Sequence, residues 1–324
     1  MSAQVETMMY KGAVPWHGLG TKISDDKNLS IDEGLKESGC DWNVVLEDMY
    51  LKRDMDEYIT SQKLNTNIEE RAVVRSTDNS VLGVVGSKYT PLQNMDAFAW
   101  FQPFLDAGLC KLHTAGSLCG GKKVWVLAEL DNPTVNITAN DTICKYILLS
   151  NSHDGSSAVR VGYTPIRTTC ANTLAMAHNS TASKLLKVRH TSGLKISMEI
   201  IRDTMNVVNA EFEATAEQYK FLATKRVSKI RDYVKLVLKE DKEDKDMSTR
   251  SKNIVDKIVS LCENGMGNNI DNVRGTYWAA YNGVTEYLSH IYGRNNSNRM
   301  NNLWFGQGVN MNQLALQTAL RMAS

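Results

Sequence analysis

The sequence contains no run of about 18 apolar residues, so no membrane-spanning helix is expected. Its first residues, MSAQVETMMYKG, lack the charged-then-apolar layout of a secretory signal, and the expected location is the cytoplasm. Cys40, Cys110, Cys119, Cys144, Cys170 and Cys262 are scattered, and none forms CxxC with another. That spacing favours reduced thiols, most of them in or beside apolar segments, over disulfides or a zinc site. His17, His113, His153, His178, His190 and His290 form no HExxH or HxH and no paired spacing to cysteine. No carboxylate cluster stands at a spacing suited to chemistry, so a hydrolase or nuclease ranks last among the functions considered. No cofactor is expected, neither nucleotide nor metal.

One apparent motif also fails on its context. Gly116-Ser-Leu-Cys-Gly-Gly121-Lys122 fits GxxxxGK, but Lys123 stands where a phosphate loop needs Ser or Thr. The next residues, Val124-Trp125-Val126-Leu127, read as a strand, where the motif needs a helix N-terminus. The reading is a glycine-bearing hairpin. His153-Asp154, with Ser152 and Ser156, cannot form a triad alone, because neighbours on an extended chain point to opposite faces. A hairpin loop is expected there, or a polar loop touching a backbone phosphate.

What is present is a soluble globular composition, 42% hydrophobic and 23% charged over 324 residues, enough for one large or two ordinary domains. The net charge is only +1, yet it is unevenly spread. Residues 1–60 hold six basic and twelve acidic side chains, and residues 287–324 hold three arginines and no acid. Residues 142–198 hold Lys145, Arg160, Arg167, Lys184, Lys187, Arg189 and Lys195 against the single acid Asp154. A local charge of +6 inside a neutral chain reads as a built positive surface, and such surfaces meet phosphates.

Periodicity gives the framework. Ser30 and Glu33 form a capping box for a short helix to Ser38. Strands are expected at 42–51, 71–76 and 81–86, the last two joined by the Thr77–Ser80 turn. A helix over 92–107 should kink or end at Pro103. A meander follows at 109–118, 122–130, 142–150 and 156–163, then a helix at 166–178 and a short strand at 185–190. From Leu194 to Leu222 apolar residues recur at 4-3 spacing, which predicts a long helix with one apolar seam. That seam packs either along its own domain or between subunits. Helix continues over 227–238, and residues 239–250, KEDKEDKDMSTR, read as a solvated or disordered linker. Helices are expected at 251–263, 275–292 and 311–322. The expected organisation is α+β: a 1–238 core, with an antiparallel β meander packed with the long heptad-patterned helix; a 239–250 charged linker; and a helical 251–324 region.

The candidate nucleic-acid-binding residues are Lys145, Arg160, Tyr163, Arg167, Lys184, Lys187, Arg189 and Lys195. Arg160 and Arg167 are either phosphate grips, through planar bidentate donors, or solvated arginines whose stems cover apolar surface. Tyr163, Tyr146 and Trp125 suit base stacking as well as core, with core the better reading of Trp125. Arg294, Arg299, Trp304 and Phe305 suit either single-strand contact or subunit docking.

Three runs carry a family resemblance: Pro15-Trp-His-Gly-Leu-Gly20; Arg160-Val-Gly-Tyr-Thr-Pro-Ile-Arg167 with Asn172-Thr-Leu174; and Thr276-Tyr-Trp-Ala-Ala-Tyr-Asn-Gly-Val-Thr-Glu-Tyr287. Together they resemble a phage- and plasmid-encoded family of unknown function, domain-of-unknown-function family 932. The resemblance implies a mobile-element origin and carries over no catalytic residue. The order of a β meander and then a long helix is similar to the core of single-strand annealing recombinases, which form rings or filaments; this is an analogy of layout. Two functions follow as expectations. One is a single-stranded DNA-binding protein that promotes annealing as a homo-oligomer without bond chemistry. The other is a structural or interaction protein that self-assembles or binds a host partner without nucleic acid.

Overall fold

A computed structural model describes residues 5–12, 18–49, 70–157, 159–168, 172–173, 198–293 and 306–324. The fold is α+β. A seven-stranded sheet runs in the order β10-β9-β8-β7-β6-β1-β2, with β1 Val5–Tyr10, β2 Thr21–Lys22, β6 Cys110–Leu118, β7 Lys123–Thr138, β8 Asp141–Ser152, β9 Arg160–Arg167 and β10 Asn172–Thr173. Its body is the expected antiparallel meander, to which β1 adds antiparallel beside β6 and β2 parallel beside β1. A second sheet holds β3 Val44–Asp48, β4 Arg71–Arg75 and β5 Val81–Val85.

The local signals act as chemistry requires. Ser30 and Glu33 close a reciprocal capping box on α1, Ile31–Glu37. The expected 92–107 helix breaks into α2, Asn94–Ala99, and α3, Gln102–Asp106, with Pro103 in the first turn of the second. Cys119, Gly120 and Gly121 all have positive φ in the β6–β7 turn, which makes the GxxxxGK run a hairpin. A Cβ at Gly121 would lie 2.3 Å from Arg75 Nη2, so the glycine makes room for that guanidinium. The N-terminal strand β1 has no counterpart among the sequence expectations.

The long helix α4, Met198–Thr224, crosses the sheet against β7 and β9 and packs on α7, Tyr277–Glu286. Its seam residues Met205, Val208, Phe212, Tyr219 and Leu222 are buried. The same chain therefore occupies the seam over these residues, and it is not an intersubunit face. The helix ends at Thr224, and α5, Ile230–Leu238, starts after a loop.

One further expectation is corrected, and one of two alternatives is decided. Ile166 and Arg167 end β9, and Asn172–Thr173 pairs back on them, so no helix starts at 166. Alternation places Val161, Tyr163, Pro165 and Arg167 on one face, and that face is covered, which suits strand to a buried sheet better than a solvated helix. The 239–250 segment is an ordered turn. Lys239 caps α5 in the left-handed conformation, a 3-10 turn spans Asp244–Asp246, and Ser248 caps α6, Thr249–Asn264. One of its acids is held from outside: Arg231 pairs with Asp244 and, from α6, with Asp256, each at 2.6 Å. Helices α5, α6, α7 and α8, Gln307–Ala323, share one continuous buried cluster with both sheets.

Helix α7 is buried on all sides from Tyr277 to Thr285, as expected of a helix without a polar face. Tyr219 stacks on Tyr281 at 5.8 Å, and Trp278 lies 4.9 Å from Tyr219. Gly283 lets α6 approach: a Cβ there would stand 2.4 Å from the Cys262 amide nitrogen.

Candidate nucleic-acid interface

Strand β9 and its neighbour β8 carry half of the residues expected to meet phosphate. Register pairs Ile143 with Arg167, Lys145 with Pro165 and Ile147 with Tyr163. Directly opposed residues share a face, so Lys145, Tyr163 and Arg167 all point toward the helical side of the sheet. That side is closed. Lys145 is buried, donates to Glu213 Oε1 on α4 at 2.8 Å and lies 5.0 Å from the centre of the Phe212 ring. Tyr163 is buried, with its hydroxyl 3.2 Å from Thr215 Oγ1 and its ring edge-on to Phe212.

Arg167 is fully enclosed, at 0% exposure, as is Asp141. Its Nε and Nη2 donate to the Asp141 carboxylate at 2.7–2.9 Å. Nη1 donates to Asn268 Oδ1 at 3.1 Å, and Nη2 to the Gly267 carbonyl at 2.9 Å. Trp278 Nε1 donates to Asp141 Oδ2 at 2.7 Å, and the guanidinium sits 5.6 Å from that indole ring. This planar, bidentate arrangement is the one a phosphate would use, but a carboxylate of the same chain fills it. Lys145, Tyr163 and Arg167 are therefore corrected from surface contacts to interior ones. They bind the sheet to α4, α7 and the loop after α6.

Arg160, at the start of β9, is partly exposed. Lys184, Lys187, Arg189 and Lys195 lie outside the described residues, as do Arg294, Arg299, Trp304 and Phe305. Trp125 and Tyr146 are core, and the Tyr146 hydroxyl donates to Glu129 Oε1 at 3.3 Å.

A polar cluster lies on the other face of the sheet, where β1, β6, β7 and β8 meet. Burial lowers the Lys11 pKa, with Lys111 adding to the effect, and Lys11 donates to the Lys27 carbonyl. Burial pushes His113 down to about 4, and its Nδ1 lies 2.7 Å from Thr114 Oγ1. Burial raises Glu129. His113 meets the Tyr146 ring edge-on at 5.0 Å. These groups share charges of both signs, with no nucleophile aimed into a cleft. Among the described residues no group of three or more His, Cys, Asp or Glu side chains is placed to hold a metal ion. Burial raises the thiol pKa of Cys40 and Cys110 to about 12, so neither supplies a thiolate at neutral pH. No helix among the described residues is long and apolar enough to cross a membrane.

Sequence reasoning missed the exposed cations Lys225, Arg226, Lys229 and Arg274. Their signal is the run KRVSKIR at 225–231, which has no acid but lies outside the most basic stretch of the chain.

No curated protein and no solved structure matches this chain. One family does, and its match spans two of the three runs noted in the sequence, including Arg167 and Trp278 of the buried knot. Over residues 81–304, more than two thirds of its length, the chain matches the family described as Domain of unknown function (DUF932), and it belongs to that family.

Proposed function

We propose that this protein binds single-stranded DNA and promotes strand annealing as an oligomer, in the DNA metabolism of a mobile element. The observation that supports the reading is the run from 174 to 197, which joins the last strand of the meander to α4. It carries Lys184, Lys187, Arg189 and Lys195 and no acid. With Lys145 and Arg167 neutralised internally, this run, Arg160 and the exposed cations of the helical part are positive charge still available to a polyanion. Annealing forms no covalent bond. It needs a backbone held by cations while the bases stay open to pairing.

The test is fluorescence anisotropy of labelled single- and double-stranded oligonucleotides at two salt concentrations. Binding should be tight at low salt and fall steeply, because each single-strand phosphate neutralised contributes about −0.7 to the slope of log K against log salt. Lys184→Ala, Lys187→Ala, Arg189→Ala and Lys195→Ala together should weaken it at least about tenfold and flatten the slope by up to about 2.8. Negligible binding at low salt, or a variant indistinguishable from the parent, defeats the proposal.

A second reading has its own observation: Asp25, Asp26, Asp32, Asp41 and Asp48 are exposed at the N-terminal part. Such a surface suits docking of a basic patch from a second copy or another protein. Mass photometry with and without DNA separates the two, since assembly indifferent to DNA favours this one.

A further inference from the structure

The loop between α4 and α5 is clipped to the loop that precedes α7. Val227 N–H donates to the Gly275 carbonyl at 3.0 Å, and Tyr277 N–H donates to the Lys225 carbonyl at 2.9 Å. Arg226 and Thr276 form a β-bridge between the two segments. The clip brings Arg274 beside Lys225 and Arg226, with Lys229 three residues further along the same loop, and all four side chains are exposed.

Two of these side chains are held in place. Arg226 Nη1 donates to the Arg274 carbonyl. It lies over Gly275, which has φ +70° and whose absent Cβ would stand 3.3 Å from that nitrogen. The rest of the guanidinium fork is left to the outside. Lys225 Nζ sits 4.9 Å from the centre of the Phe221 ring. None of the four is ion-paired among the described residues, whereas the neighbouring Arg231 is satisfied by Asp244 and Asp256. Surface cations normally find carboxylates or move freely. Here two of four are preset and none is neutralised, so a ligand loses less entropy in engaging them.

We infer that this clip, at the C-terminal end of α4, is a second backbone-binding site for single-stranded DNA, beside the acid-free run that precedes the helix in sequence. The inference rests on the proposed function above. Residue 197 ends that run and Met198 begins the helix. The clip starts one residue beyond Thr224, where the helix ends. At about 1.5 Å per residue, the 27-residue helix puts the clip about 40 Å from the N-terminus of α4, the end that the run adjoins in sequence. One strand laid along the helix would engage both ends. A strand too short to span it would engage one at a time.

The test uses the full chain with (dT)30 and (dT)5, comparing the parent with the triple variant Lys225→Gln, Lys229→Gln, Arg274→Gln. Arg226 is retained because its bond to the Arg274 carbonyl helps hold the clip together. The variant should bind (dT)30 about tenfold or more weakly at low salt, with the salt slope shallower by about 2 because three phosphates are no longer neutralised. Its melting temperature should match that of the parent, since only exposed side chains change. The affinity for (dT)5 should change far less. Unchanged (dT)30 affinity and slope in the variant overturn the inference while the proposed function stands. If the parent binds neither oligonucleotide, the proposed function itself fails. If the variant binds DNA as the parent does but no longer self-associates in mass photometry, the clip is a contact with a second copy, and the inference is overturned.

Discussion

Asp141→Asn probes the buried knot with almost no change of shape. The carboxylate receives three hydrogen bonds from Arg167 and one from Trp278. An amide keeps one acceptor oxygen but turns the other position into a donor facing a guanidinium donor. It also removes the carboxylate charge in direct contact with Arg167, which is at 0% exposure. Removing one partner of a buried pair costs about 3–5 kcal/mol, because the surviving charge stays desolvated and unpaired. Unfolding entropy of roughly 2.1 cal/mol/K per residue gives about 0.68 kcal/mol/K for 324 residues, so the melting temperature should fall by about 4–7 °C. Urea titration should show a lower midpoint at constant slope. The companion variants are Arg167→Met and the double change Asp141→Leu, Arg167→Met. The double variant should be much less destabilised than the sum of the singles, since it leaves no orphaned charge. A loss under about 1 kcal/mol for Asp141→Asn, or singles that simply add in the double variant, would refute the buried pair as drawn.

Three further outcomes follow from particular contacts. His153 is at 0% exposure, and burial lowers its pKa to about 4 from 6.5. The unfolded chain therefore takes up a proton below pH 6.5 that the folded chain refuses; stability is full above 6.5 and falls by about 3 kcal/mol as the pH drops toward 4. His153→Gln should flatten that part of a melting-temperature profile, and an unchanged profile counts against the assignment. Lys145→Met should leave oligonucleotide affinity as in the parent, because the ammonium is spent on Glu213 and Phe212; a tenfold loss of affinity in an anisotropy titration would return Lys145 to the interface. Gly283→Ala puts a methyl 2.4 Å from the Cys262 amide nitrogen, so α6 and α7 must part, at a cost of about 1–3 kcal/mol by denaturant titration; a neutral result would mean the helices are not so closely packed.

The framework was legible wherever local chemistry decides. The capping box at Ser30, the break at Pro103, the meander and the apolar seam of α4 are all written in neighbouring residues. The tautomer of His153 shows what is not. Asn94 gives both amide protons to the Cys40 and Trp42 carbonyls, so its Oδ1 must accept from His153 Nε2 at 2.9 Å. That partnership spans 59 residues of sequence, and no motif spacing shows it. β1 was missed for a related reason: VETMMY does not alternate, because its three consecutive residues Met8, Met9 and Tyr10 are all buried, on both faces of the strand.

The charged site failed on the same distinction between neighbours in sequence and neighbours in space. A charge count over 142–198 starts one residue after Asp141, the acid that neutralises Arg167, and stops well before Glu213, the acid that neutralises Lys145. Both acids lie outside the window yet within hydrogen-bonding distance, so two of its seven cations contribute nothing to the outer field. The opposite error hid the clip. KRVSKIR lies between acids in sequence, but Arg231 takes up Asp244 and Asp256, which leaves Lys225, Arg226 and Lys229 unopposed. A positive surface is therefore defined by which cations lack a carboxylate in the fold. By that criterion the end of α4 is a positive surface among the described residues, although it lies outside the stretch that a charge count along the chain picks out.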